Sequence, residues 1–178
     1  KGLVGSEMCI RDSHYITHIF LQAGVGGMAS AVIAGVARYF KRIPRIIIIE
    51  PESADCVLAS IDNSKLTKVE IKKESIMGGM SCGEVSLVPW QIIKNSVNNC
   101  ISLSDDNIAT TVAMLAKGEF SNDKIIGGEC SAPSIISLIM SCNNQKIKQS
   151  LDLNEKSNVL LIGCEGDTDT TLYKQMIS

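Results

Sequence analysis

The chain is 178 residues long, enough for one domain with a sizeable core. Its 17 basic and 19 acidic side chains nearly cancel, and aromatics make up only 4%, so it has neither the basic surface nor the stacking platform of a nucleic-acid binder. The seven cysteines form no C-x-x-C pair and only two histidines accompany them, which argues against a zinc site and for reduced thiols in a cytoplasmic protein.

Residues 1–13 show no useful periodicity. They resemble a translated sequencing-adapter tail and are set aside from fold reasoning, with the usable chain beginning near His14 as a truncated reading frame. Ile16 to Leu21 then reads as a strand and Gly27 to Lys41 as a small-residue helix. From Ile19 to Ala37 no residue is charged, but Gln22, the glycines and the many alanines make this stretch a buried helix rather than a membrane span. Arg45 to Glu50 is a strand with no polar alternation, so both its faces are expected to be covered. Pro51 to Asp55 starts a helix that runs to about Ile61.

Thr67 to Ile71 is assigned to a short strand and 75–84 to a glycine-broken loop. Val88 to Asn98 reads as a helix and Cys100 to Leu103 as a strand. Ser104 is the expected cap of a helix with Asn107 to Ala116 as its body, and Ser131 to Ser141 is a second small-residue helix. Asn158 to Gly163 is another buried strand, and Thr170 to Ile177 a closing helix capped by Asp167 or Asp169. Strands alternating with helices predict an α/β fold, a parallel sheet sandwiched between two helical layers. Ligands of such sheets bind beyond the carboxyl ends of the strands. Of the three turns expected there, 22–28, 50–52 and 164–169, the first and third are the expected site.

The first turn is the most informative. An apolar strand runs into Gly24-Val-Gly-Gly-Met28 and directly on into a helix, leaving unpaired amide hydrogens at a helix N-terminus where an anion is favoured. Two phosphate ligands compete for it. Gly24-Val-Gly-Gly-Met-Ala29 fits the G-x-G-x-x-A pattern of a dinucleotide site, with Glu50 as the ribose acid. The same loop would equally hold the single phosphate of pyridoxal phosphate, with Cys164, at the end of a strand, against the pyridine nitrogen.

Five segments occur in one order: Thr17 to Met28, Ile49-Glu-Pro-Glu-Ser-Ala-Asp-Cys56, Ile76-Met-Gly-Gly-Met-Ser-Cys-Gly-Glu84, Gly127-Gly-Glu129, and Glu165-Gly-Asp-Thr-Asp169. Together they resemble the diaminopropionate ammonia-lyases, within the tryptophan-synthase-β-like, fold-type II class of pyridoxal-phosphate enzymes. The resemblance covers roughly His14 to the C-terminus and implies part of the large domain of such an enzyme. It implies that Gly24, Val25, Gly26, Gly27 and Met28 bind the cofactor phosphate and that Cys164 is a neutral partner of the pyridine nitrogen, leaving the ring a shallower electron sink. It places Glu129 beside the ring, and Cys82 and Glu84 near the site without a role. It implies elimination from 2,3-diaminopropionate, and a homodimer for the full-length protein.

The family's cofactor-binding lysine and proton-handling acids lie upstream of the glycine loop, and none of the lysines here sits in the matching motif. The chain is therefore expected to be an inactive C-terminal fragment with no catalytic residue of its own, no metal site, and an apolar face left for missing elements to cover. A serine or threonine dehydratase and a non-catalytic dinucleotide-binding module stand as alternatives.

Overall fold

The computed structural model describes residues 16–121 and 123–178; the tail expected at 1–13 lies outside the described residues. Four parallel strands form one sheet in the order β3-β2-β1-β4: β1 His18–Gln22, β2 Arg45–Pro51, β3 Asn99–Leu103 and β4 Val159–Leu161. Between them run α1 Gly27–Tyr39, α2 Cys56–Asp62, α3 Leu87–Ile93, α4 Ile108–Lys117, α5 Ala132–Asn143 and α6 Gln145–Ser150, and α7 Thr170–Ile177 closes the chain.

The two central strands explain the three layers. Side chains alternate across a strand, and here both faces are apolar. Ile19, Leu21, Ile46 and Ile48 enter one core with Ile33 and Val36 of α1, Val57 of α2 and Trp90 and Ile93 of α3. Phe20, Ile47 and Ile49 enter the other with α4, α5 and α7, through Val112, Ile136 and Met176. The four consecutive isoleucines of β2 are at most 1% exposed, as expected for a strand covered on both sides.

Several local expectations change. The segment 67–71 forms no strand; Val69 makes one backbone bond to the Gly83 carbonyl at 2.8 Å, and no ladder follows. The helix expected over 88–98 ends at Ile93, and Val97 and Asn98 instead lead into β3, where Asn98 Oδ1 accepts from the Ile46 amide at 2.8 Å. Ser104 does not cap α4: its hydroxyl bonds Asp106 at 2.9 Å and Asn107 holds the cap position. Helix α6, begun by Asn144 on the amides of Lys146 and Ile147, was not foreseen. Asp169 does cap α7, accepting from Thr171 and Leu172 at 3.0 and 2.9 Å.

Among the described residues no helix is long and apolar enough to cross a membrane. The 13 residues of α1 span about 20 Å, against about 30 Å for a bilayer core.

Candidate functional site

β1 delivers its C-terminal residue, Gln22, to the carboxyl edge of the sheet, and the chain turns there into α1. Gly26 makes the turn: its φ of +90° lies in the left-handed region, and a Cβ on it would stand 2.8 Å from Ile93 Cδ1. At Gly24 a Cβ would meet the Gly79 carbonyl oxygen at 2.7 Å, so the 78–80 turn can close over the loop only because that side chain is missing. Above Gly27 the space is open, with nothing within 4 Å of where a Cβ would stand.

Helix α1 has no side-chain cap. The Ala23 amide goes to the Ile49 carbonyl and the Ser30 amide to that of Gly26. Among the described residues the amides from Gly24 to Ala29 have no acceptor. Six donors in a row at the positive end of a helix, under open space, form an anion cradle.

The cavity over this cradle measures about 480 Å³. Gly24, Val25, Gly26, Gly27 and Met28 line it, and so does Cys164, just beyond β4. The structure thus brings together all six residues expected to bind the cofactor, from turns 22–28 and 164–169. The remaining turn, 50–52, stays out. Glu50 is 1% exposed, and its two carboxylate oxygens accept from the Val57 and Leu58 amides at 2.8 and 2.9 Å. It holds the start of α2 and does not face the cavity, which removes the acid that the dinucleotide reading needs for a ribose.

Sequence reasoning missed other lining residues. Gly79 and Met80 enter from the 3-10 turn Gly78–Met80, whereas Glu84 of the same loop points to an exposed ion pair with Lys68 at 2.8 Å. Cys130, Glu165 and Thr168 also line the cavity. Two turns are stitched together beneath it. The Gly128 amide and the Ser131 hydroxyl donate to the Glu165 carbonyl at 3.1 and 2.7 Å, and the Glu165 carboxylate accepts from the Cys130 amide at 3.0 Å. The Cys164 thiol donates to the Cys130 carbonyl at 3.1 Å.

Burial, followed by the nearby Glu165 carboxylate, pushes the Cys164 thiol up, so it stays neutral at neutral pH. Glu129, expected beside the ring, is buried and is not among the described residues that line the cavity. Its carboxyl is pushed up by burial and by the Glu165 carboxylate. One oxygen of each glutamate and the Cys130 sulfur lie within 4.8 Å of one another.

The cavity fits pyridoxal phosphate in two respects that can be read from the chain: a bare-amide cradle for an anion, and a neutral polar group at a strand end lining the same space. No lysine, arginine or histidine is among the described residues that line it, so its affinity for an anion comes from backbone dipoles.

Known proteins point the same way. Diaminopropionate ammonia-lyase of Escherichia coli is 32% identical over 165 residues, covering 90% of this chain and 42% of that protein. The Salmonella typhimurium enzyme of the same name is 33% identical, over 96% of this chain and 44% of its own length. Among solved structures, the Escherichia coli enzyme in complex with D-serine superposes with a TM-score of 0.82 at 32% identity, covering 97% of this chain and 44% of that one. The same enzyme in complex with an aminoacrylate-PLP azomethine reaction intermediate gives 0.81. Maize serine racemase, at 22% identity and a TM-score of 0.77, shares the fold. The chain spans less than half the length of the relatives it matches. The family described as pyridoxal-phosphate dependent enzymes matches residues 2–165, and with that match over the bare-amide cradle and the Cys164 strand end, this chain belongs to that family.

Proposed function

We propose that this chain supplies the phosphate cradle and the ring-nitrogen side of a pyridoxal-phosphate carbon-nitrogen lyase that converts 2,3-diaminopropionate and water to pyruvate and two ammonia. One observation carries the reading: the run of acceptor-free amides from Gly24 to Ala29 borders the same cavity as Cys164. The similarity to the bacterial ammonia-lyases supports the choice of substrate.

Bound there, the cofactor would supply an electron sink for the negative charge that develops at the substrate α-carbon. The chain's own residues bind and orient it. Amides 24–29 take the phosphate, Cys164 takes the ring nitrogen, and the Gly78–Met80 turn covers the loop from above. The Glu165 contacts to Cys130 and Ser131 hold the Cys164 turn against α5, fixing the distance between the two anchoring points. We assign the cofactor-holding lysine and the acids that move protons to residues of a longer protein, which we take to be a cytoplasmic homodimer acting on a free amino acid.

Titration with pyridoxal phosphate and with NAD tests the cofactor. Pyridoxal phosphate should saturate the chain at one equivalent and NAD should not, and tight NAD binding would return the dinucleotide reading. Borohydride reduction of the mixture should label no single lysine stoichiometrically; one fully labelled lysine would contradict the assignment of that group elsewhere. With the full-length protein, pyruvate release from diaminopropionate should exceed that from serine, and the reverse order would make it a dehydratase.

A further inference from the structure

The Gly78–Met80 turn touches both ends of the cavity. Its Gly79 carbonyl oxygen lies against Gly24, 2.7 Å from where a Cβ there would stand, and a Cβ on Gly79 would stand 3.3 Å from the Cys130 sulfur. Cys130 in turn holds the Cys164 thiol on its carbonyl. A displacement of this turn therefore alters the cradle side and the Cys164 side together. Packing does not fix the turn alone. Met77 and Met80 are buried in the core beneath it, but methionine is unbranched and adapts its shape, so it sets depth more than direction.

Direction comes from hydrogen bonds that arrive from the connection between β3 and α4. One oxygen of the Asp105 carboxylate accepts from the Ser75 hydroxyl at 2.6 Å and the other from the Ile76 amide at 3.1 Å. The buried Ser75 hydroxyl itself accepts from the Met77 amide at 3.0 Å. The Ile76 and Met77 carbonyls then accept from the amides of Gly78 and Met80 at 2.8 and 2.9 Å. One carboxylate thus begins a continuous relay that ends on the turn. Asp105 meets no cation among the described residues, so these two donors are the partners of its charge, and bonds to a carboxylate are about twice as strong as bonds to a neutral acceptor.

We propose that Asp105 is a positioning residue of the cofactor site: acting through Ser75, it latches the Gly78–Met80 turn in place between the glycine loop and Cys130. The inference rests on the cofactor reading above. Asp105 is not among the described residues that line the cavity, so its effect on a ligand there passes through the turn. The glycine loop keeps open space above Gly27, so a ligand confined to the amides feels the turn less than one whose ring extends beneath Gly79 and Met80.

The test titrates the 178-residue chain with pyridoxal phosphate and with inorganic phosphate. Asp105→Asn leaves one acceptor oxygen for two donors, and Ser75→Ala cuts the relay at its next member. Each should weaken pyridoxal phosphate about tenfold and change the circular dichroism that the site induces in the bound ring, while inorganic phosphate loses much less. The double variant should bind no more weakly than the worse single variant, because both changes break one relay. Equal losses for the two ligands, or no loss in either variant, overturn the inference. Hydrogen exchange of the wild type keeps the test decisive where a variant does not fold. The Ile76 and Met77 amides should exchange slowly, and more slowly still with pyridoxal phosphate bound, since coupling between latch and site is reciprocal. Protection that the bound cofactor leaves unchanged overturns the inference alone. A wild type that takes up no pyridoxal phosphate overturns the functional reading along with it, so the two failures are distinct.

Discussion

Gly26 is constrained by conformation and by contact together. A left-handed φ costs an L-residue about 1–2 kcal/mol, and a methyl group there would press on Ile93 and Pro89. Gly26→Ala is therefore expected to lower the free energy of unfolding by at least that cost, read as a lower urea midpoint, and to weaken pyridoxal phosphate binding; an unchanged midpoint would refute the role given to the turn. Glu50 makes a second prediction. Burial outweighs the two amides it holds and lifts its carboxyl from 4.5 to about 7. The folded state thus keeps a proton that the unfolded chain releases. This contribution is fully present below about pH 4.5 and is lost as pH rises through about 7, a change on the order of 3 kcal/mol. Urea midpoints measured across that window should fall with rising pH, and the slope should flatten in Glu50→Gln. From sequence alone, Glu50 read either as a strand-end acid that takes a ribose or as the mere end of a strand, whereas in the structure it is a buried helix anchor. The choice is made by the approach of α2, which spacing does not encode.

The two helices that matter most begin differently. Asp169 satisfies the first amides of α7, whereas α1 starts with no side-chain cap and a row of free donors. In the proposed function an anion caps α1, so saturating pyridoxal phosphate should stabilise the chain by about 2.7 kcal/mol at a hundredfold excess over its dissociation constant. Pyridoxal without its phosphate should raise the melting temperature far less, and equal shifts would place the binding energy away from the cradle. The cradle was legible in the sequence because it is local: a strand, three glycines and a helix within a few residues. The stitching of the Cys164 side was not, since it forms when Gln22 meets Ile162 and when Cys130 meets Glu165 across long loops. Likewise 67–71 has a strand's composition but finds no neighbouring ladder, and the helix begun at Leu87 stops when Asn98 is drawn to β2.

The molecule as a whole follows the sheet order. β1 and β2 are central and were readable from their apolar cores, Ile19 to Leu21 and Ile46 to Ile49, while β4 is a short edge strand of half-buried residues. Beside it lies a second cavity of about 760 Å³ with Phe120, Ile126 and Ile139 in its walls, the last two 62% and 43% exposed. An apolar surface of this kind promotes association. The isolated chain should self-associate with rising concentration in sedimentation experiments, and the double variant Ile126→Asp with Ile139→Asp should remain monomeric longer; concentration-independent sedimentation of the wild type would contradict this. The functional reading needs both ends of one cavity to act together, and amide resonances report on them residue by residue. On saturation with pyridoxal phosphate, the amide signals of Gly24 to Met28 and of Cys164 should shift together along one binding curve. Shifts confined to other parts of the chain, or a glycine loop that moves while Cys164 does not, would contradict the account.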